Sequence, residues 1–287
     1  MSHNRDSMKR ESVKKQGPLT YYGGKKRLVN QIIPLIPNHR IYCEPYFGGG
    51  AIFFAKKPSY LEVINDINDN LINFYRICQT NFSELSTMIK RAIYSESEYK
   101  WAKQVYHGQK QVNDIEKAYA TFIVFNMSIN SCPENLWSYN NGTGGSHSGI
   151  LFAHKRDSFC PWLEERLRYV QISCRQAIEV IKERDTNETF FYLDPPYPNS
   201  NQGHYKGFTV DDLEQLLIEL ESIKGKFLLS NYPAEIICKY AKKNNWQLKE
   251  LLVKRDIVNR CMPGGKKREI LLANYQTEKY IQTTIFL

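Results

Sequence analysis

Thr189-Phe190-Phe191-Tyr192-Leu193-Asp194-Pro195-Pro196-Tyr197 joins a run of strand-forming residues to a carboxylate, a double proline and an aromatic ring. Thr189 to Leu193 predict a buried strand. In open α/β sheets ligands bind beyond the carboxyl ends of strands, and Asp194 falls at that end. The two prolines fix φ and remove two N–H donors, leaving carbonyl oxygens projecting from a stiff corner. Such a corner suits a planar ring with an amino group. Asp194 and a proline carbonyl accept its hydrogen bonds, and Tyr197 lies against its face. The same four residues also read as a strand-ending turn, because Asp-Pro and Pro-Pro mark turns. The surrounding chain has to decide.

Outward from that segment, strands and helices alternate. Arg40 to Cys43 and Tyr60 to Ile64 read as strands around a helix starting at Ala51, a βαβ unit that predicts a parallel sheet. Arg27 to Ile36 and Asn70 to Gln79 read as helices. Past the middle, Tyr169 to Ser173, Lys226 to Ser230, Gln247 to Val253 and Glu269 to Asn274 read as strands. Helices are expected over Arg175 to Glu183, Thr209 to Ile223 and Ile236 to Asn244. Residues 78–168 break the rhythm: helices over Phe82 to Lys90, Glu96 to Gln104 and Ile115 to Phe125 precede a long loop, Asn135 to Gly149, rich in Asn, Gly and Ser. The expected organisation is a basic tail over 1–17, a catalytic α/β domain from 18–77 and 169–287, and a mostly helical insertion over 78–168.

The chain has 287 residues and a net charge of +9, which favours a polyanionic partner. Basic residues cluster in the N-terminal tail and around Pro263-Gly264-Gly265. Lys266 and Lys267 of that second cluster are candidates for gripping phosphates. Seven cysteines without a C-x-x-C pair point to reduced thiols, and six scattered histidines without H-E-x-x-H give no reason to expect a metal. No apolar run approaches the roughly 20 residues that cross a bilayer, and residues 1–16 lack a signal-peptide core. A cytoplasmic protein with no membrane partner is expected.

Glu44-Pro45-Tyr46-Phe47-Gly48-Gly49-Gly50 follows the first strand. It departs from both G-x-G-x-x-G and the phosphate-binding P-loop, so it suits a cofactor that approaches backbone closely and carries no phosphate. Asp66 ends the second strand, where a carboxylate typically accepts hydrogen bonds from ribose hydroxyls. Asp66 or Asp69 could equally cap the next helix. Ribose without phosphate fits S-adenosylmethionine.

Thr20-Tyr21-Tyr22-Gly23-Gly24-Lys25, Glu44 to Ala51, Asp66-Ile67-Asn68 and Asp194 to Tyr197 together resemble, in order and spacing, the motifs of the Dam-like DNA adenine-N6 methyltransferases, D12 class, alpha group. Further matches stand at Tyr205 to Thr209 and Ser230-Asn231-Tyr232. The resemblance implies a Rossmann-like S-adenosylmethionine-dependent methyltransferase sheet carrying an inserted, mostly helical DNA-recognition subdomain. It implies methyl transfer to N6 of a flipped adenine in double-stranded DNA. It assigns the cofactor to Tyr21, Lys25, Phe47, Gly48, Gly50, Asp66 and Asp194. Lys25 takes its carboxylate and Asp66 its ribose. Asp194, Pro195, Pro196 and Tyr197 receive the adenine, with Tyr197 stacking on it.

The insertion departs from the family pattern. Phe125-Asn126-Met127 through Asn140 matches the base-reading hairpin of close Dam relatives only loosely, so the target sequence is not carried over. Trp137, Tyr139 and Asn140 stand where a wedge could enter DNA, and Lys155 and Arg156 where phosphate or a guanine edge could be met. Packing residues and solvated charges are the plain alternatives. Tyr46, Phe53 and Phe54 read as core. The chain is expected to be a monomer, with any cognate restriction endonuclease acting separately. Other acceptors (cytosine N4, RNA adenine) and an inactive DNA-binding module stay open as alternatives.

Overall fold

Seven strands form one sheet in a computed structural model that describes residues 17–140, 147–198, 207–252 and 268–277. They are β1 (Ile41–Glu44), β2 (Leu61–Asn65), β3 (Gln171–Ser173), β4 (Thr189–Leu193), β5 (Lys226–Asn231), β6 (Gln247–Leu252) and β7 (Arg268–Ala273). Their order is β3-β2-β1-β4-β5-β7-β6. Strands β1 to β5 pair in parallel, whereas β7 runs antiparallel to both β5 and β6. The chain moves outward from β1 through β2 to β3, then returns to start again at β4 on the other side of β1. The carboxyl ends of β1 and β4 therefore flank the topological switch point, where such sheets bind ligands.

Strand β4 shows why this sheet is central. Phe190 and Tyr192 join the core on one face, and Phe191 and Leu193 join the core on the other. Both faces are covered, as parallel sheets require.

Eleven helices accompany the sheet among the described residues: α1 (Val29–Ile32), α2 (Ala51–Ala55), α3 (Asp69–Thr80), α4 (Phe82–Arg91), α5 (Glu96–Tyr106), α6 (Asp114–Met127), α7 (Ser148–Asp157), α8 (Trp162–Leu167), α9 (Ala177–Arg184), α10 (Val210–Leu220) and α11 (Glu235–Asn244). Their starts follow side-chain chemistry. Asn68 Oδ1 accepts from Asn70 N at 3.1 Å to open α3, and reciprocal capping boxes open α6 (Asn113 with Glu116) and α10 (Thr209 with Asp212).

Two expectations change. The single helix expected over Arg27 to Ile36 is a 3-10 turn at Lys25–Arg27, the four-residue α1, and a second 3-10 turn at Ile33–Leu35 that contains Pro34. Proline has no N–H to give to the helix ladder. The loop expected to reach Gly149 ends earlier, because Ser148 and Gly149 already form the first turn of α7. That helix buries only Phe152, so its sequence carries little periodic signal.

Among the described residues, those of 78–168 share a core with the sheet. Phe122 of α6 and Phe159 share one apolar cluster with Tyr42, Tyr75 and Phe190. The boundary expected at 77/78 falls inside α3. Helices α9, α10 and α11 supply the opposite face through Val180, Leu213, Leu217 and Ile237. No helix of the described residues is long and apolar enough to cross a membrane.

Candidate active site

A cleft of about 750 Å³ opens at the switch point, between residues 19–26, the β1–α2 loop and the Asp194–Tyr197 corner. Sequence segments far apart thus meet: Lys25 Nζ lies 2.7 Å from Asp194 Oδ1, although 169 residues separate them.

The floor is the glycine loop. Gly48 and Gly50 have φ of +48° and +61°, in the left-handed region, and a Cβ at Gly48 would stand 2.8 Å from the Tyr21 ring. Any larger residue at 48 meets both strain and a ring. The loop is held from below: Gly48 N donates to Asp66 Oδ2 at 2.8 Å and Tyr75 OH donates to Gly48 O at 2.9 Å. Asp66 Oδ1 accepts from Asn68 N at 2.9 Å, so both carboxylate oxygens hold backbone amides. Asp66 is buried and is not part of the cleft wall. The Phe47 ring is buried against Tyr75 at 4.7 Å, leaving mainly its backbone to serve the loop.

The insertion reaches this floor. Tyr21 stacks on Phe125 of α6 with ring centroids 5.2 Å apart. Thr20 donates from N and Oγ1 to Asn126 Oδ1 at 3.1 and 3.0 Å. Phe125 and Asn126 therefore brace the N-terminal wall.

Charge is concentrated at the mouth of β4. Lys25 is 5% exposed and faces Asp194 and, at 3.4 Å, Glu269 Oε1. Burial alone would lower the Lys25 pKa, but the two carboxylates hold it above the usual lysine value. Asp194 is pushed up to about 6, by burial first and the Glu269 charge as well, against the opposing pull of Lys25. Its side chain remains 21% exposed. The Tyr197 ring packs on Tyr232 at 4.2 Å between centroids, and its hydroxyl donates to Glu269 Oε1.

Glu44, at the end of β1, lines the same cleft and accepts from Tyr42 OH at 2.7 Å. Burial pushes its carboxyl up to about 8, with the Asp194 charge adding to the shift and the Tyr42 hydrogen bond opposing it. A raised carboxyl holds a proton in the folded state that the unfolded chain releases. The stability this lends is complete below the ordinary value of 4.5 and is lost as pH rises through about 8. Glu44→Gln should therefore flatten the fall of Tm between pH 5 and 9. Parallel wild-type and variant curves over that range would refute the buried, protonated state.

Residues 21–259 match the family model of the D12 class N6 adenine-specific DNA methyltransferases. The chain belongs to that family. It is similar to the Type II methyltransferase M.MjaIII of Methanocaldococcus jannaschii, 26% identical with 90% of this chain and 98% of the relative covered. It is similar to the DNA adenine methylase of Vibrio cholerae, 28% identical with 69% and 73% covered. The DNA N-6-adenine-methyltransferase of Escherichia phage P1 is 27% identical over 87% of this chain, which spans 34% of that longer protein.

In this D12 methyltransferase the candidate DNA contacts separate into groups. Trp137 is half-buried, bridges to Ser128 and packs on Tyr94 at 5.6 Å, which is a packing role. Tyr139 is 69% exposed. Asn140 Oδ1 accepts from Ser148 N at 2.7 Å, at the start of α7. Arg156 is held by Asp157 at 3.3 Å and by the Ala92 carbonyl at 3.4 Å. Lys155 is half-buried next to Lys26, a cleft residue, and burial followed by the Lys26 charge lowers its pKa to about 7. Lys266 and Lys267 lie outside the described residues.

Glu269, Glu44 and Lys26 are site residues that had no assigned role in the sequence. Glu269 lies 72 residues beyond Tyr197, on a strand whose place beside β5 only the antiparallel topology reveals.

Proposed function

We propose that this chain holds S-adenosylmethionine in the cleft above the Gly48–Gly50 loop and methylates N6 of an adenine flipped out of double-stranded DNA. The observation that carries the reading is the charge balance around Asp194. Two carboxylates, Asp194 and Glu269, face one ammonium, Lys25, and a third acidic side chain, Glu44, lines the same cleft near Asp194. Such a site favours a cationic visitor, and a cation beside Glu44 favours release of its proton. S-adenosylmethionine supplies, when bound, a methyl group on a positively charged sulfur. The glycine turns, the aromatic wall at Tyr21 and the absence of a P-loop pattern suit its adenosyl and methionine parts.

The chain's own residues supply position and electrostatics. Lys25 fixes Asp194 through Oδ1, and the exposed remainder of the carboxylate accepts from the adenine amino group. The Pro195 carbonyl is the second acceptor. Together they draw the two N–H bonds to one side and leave the nitrogen lone pair facing the methyl group. Flipping the base costs a few kcal/mol. Contact with the Tyr197 ring returns about 1–3 kcal/mol, the scale of base–aromatic stacking. Asp66 acts through Gly48, holding the loop beneath the adenosyl end. Lys26 and Lys155 flank the cleft as phosphate contacts, where a DNA phosphate would raise the depressed Lys155 pKa.

The deciding experiment incubates the protein with tritiated S-adenosylmethionine and unmethylated genomic DNA, followed by nucleoside analysis. Label in N6-methyladenine is the expected result. Label in N4-methylcytosine, or tight DNA binding with no transfer, would sink this reading.

A further inference from the structure

The network around Glu269 is built more tightly than a strand end requires. Its carboxylate is 7% exposed, and one oxygen, Oε1, receives three donors from three other parts of the fold. Tyr197 OH comes from the corner after β4, Ser230 Oγ from β5, and Lys25 Nζ from the N-terminal wall at 3.4 Å. Ser230 is fully buried, so the anchor on β5 does not move with solvent. The Lys25 ammonium also lies over the Tyr197 ring, 5.0 Å from its centroid.

Resting on the adenine-N6 reading, we infer that Glu269 is a positioning residue for methyl transfer, which holds the Tyr197 ring by its hydroxyl and keeps Asp194 available to the substrate amino group. A phenol anchored at its oxygen can turn only about its long axis, and Tyr232 packed on it limits that turn. The second consequence concerns competition. Asp194 faces Lys25, Glu269, Tyr197, Tyr192 and Glu44. Without Glu269, Asp194, with which the Tyr197 hydroxyl already interacts, is left to take more of that donor, and it becomes the sole carboxylate partner of Lys25 among the described ion pairs. Both donors then take acceptor capacity that the adenine amino group needs. The Glu269 charge also raises the Asp194 pKa, so its removal lowers the pH at which Asp194 ionises.

Glu269→Ala and Glu269→Gln separate geometry from charge. Single-turnover transfer to unmethylated DNA should fall about 100-fold in Glu269→Ala, the scale for misplacing a reacting group by ~1 Å. Glu269→Gln keeps an oxygen for Tyr197 and should recover about tenfold of that loss. In both variants the acid limb of the rate–pH profile should move to lower pH. The dissociation constant for S-adenosylhomocysteine should change by less than about threefold. Tyr197→Phe added to Glu269→Ala should cost nothing further and should recover part of the loss, because the hydroxyl it removes no longer competes for Asp194.

Three results would overturn the inference: wild-type rates in both variants, a loss with an unmoved acid limb, or a loss matched by weakened S-adenosylhomocysteine binding. Should Glu269→Ala fail to fold, Ser230→Ala, which removes one anchor alone, must lower the rate in folded protein or the assignment falls. An Asp194→Ala control keeps the two readings apart. If that variant transfers normally, the adenine-N6 reading fails. If it is inactive and the Glu269 variants are not, only the role of Glu269 fails.

Discussion

Asp194→Ala is expected to lower methyl transfer to DNA by at least about 10³-fold, at the upper end of the effect of removing one preorganised electrostatic contact in an active site. The size follows from how many tasks meet at one carboxylate. Asp194 anchors Lys25 at 2.7 Å and presents its remaining 21% exposed surface to the cleft. It ends a strand buried on both faces, so the backbone cannot shift to bring another acceptor forward. Asp194→Asn keeps an oxygen acceptor but loses the charge and brings an amide donor, so it should fall between Ala and wild type. Wild-type transfer should rise with pH through about 6, because burial raises the Asp194 pKa to that region and the acceptor must be ionised. S-adenosylhomocysteine binding by Asp194→Ala should survive within about tenfold, since the glycine loop and Tyr21 wall remain. A variant that still methylates adenine at a tenth of the wild-type rate would remove Asp194 from the chemistry.

How much of this was legible in the sequence depends on the range of the signal. Strands β1, β2, β4 and β5 announce themselves, because a strand buried on both faces must be nearly all apolar over a short run. The motifs at their ends follow, since chain order fixes which ends meet at a switch point. Contacts made by single polar residues across the fold leave no local mark. Glu269 looks like any acid at the start of a strand until β7 is known to run antiparallel beside β5. Phe125 and Asn126 read as part of a helical insertion, and only the packing of α6 shows them under Tyr21. Asp66 illustrates the opposite difficulty. Its position fitted both a ribose contact and a cap, and the structure employs both its oxygens on the backbone amides of Gly48 and Asn68. One carboxylate chemistry served both readings, so spacing alone could not separate them.

The largest stability effect is expected from Glu62→Ala. Glu62 of β2 is 6% exposed and pairs with two buried cations, Lys56 and Arg166, whose side chains are 4% and 5% exposed. Arg166 belongs to α8, the last helix of the insertion, and also donates to the Phe53 carbonyl of α2 at 2.9 Å while lying over the Phe53 ring. Removing Glu62 strands the Arg166 charge out of water and pushes the Lys56 pKa, already lowered by burial to about 8, further down. The cost of breaking a buried pair in this way is about 3–5 kcal/mol. Total stability of a domain is only about 5–15 kcal/mol, and for a chain of this length the loss should lower Tm by roughly 5–10 °C. The pH dependence supplies an independent check. Burial works against ionisation of Glu62, but Arg166 and Lys56 together hold its pKa below the usual carboxylate value. A depressed carboxyl lends stability above its ordinary pKa and loses it as pH falls, so the gap between wild type and variant should narrow in acid. Replacing Lys56, Glu62 and Arg166 together with apolar residues of similar volume should restore most of the loss, because no charge is then stranded. If Glu62→Ala unfolds within about 1 kcal/mol of wild type at pH 7, water must reach the cluster and the buried-pair account is wrong. The same variant bears on function through Phe53, which sits two residues into the helix that leaves Gly50. Weakening the Arg166 contact to its carbonyl should loosen the glycine loop and raise the S-adenosylhomocysteine dissociation constant, whereas a cluster that only ties β2 to α8 would leave that constant unchanged in folded protein.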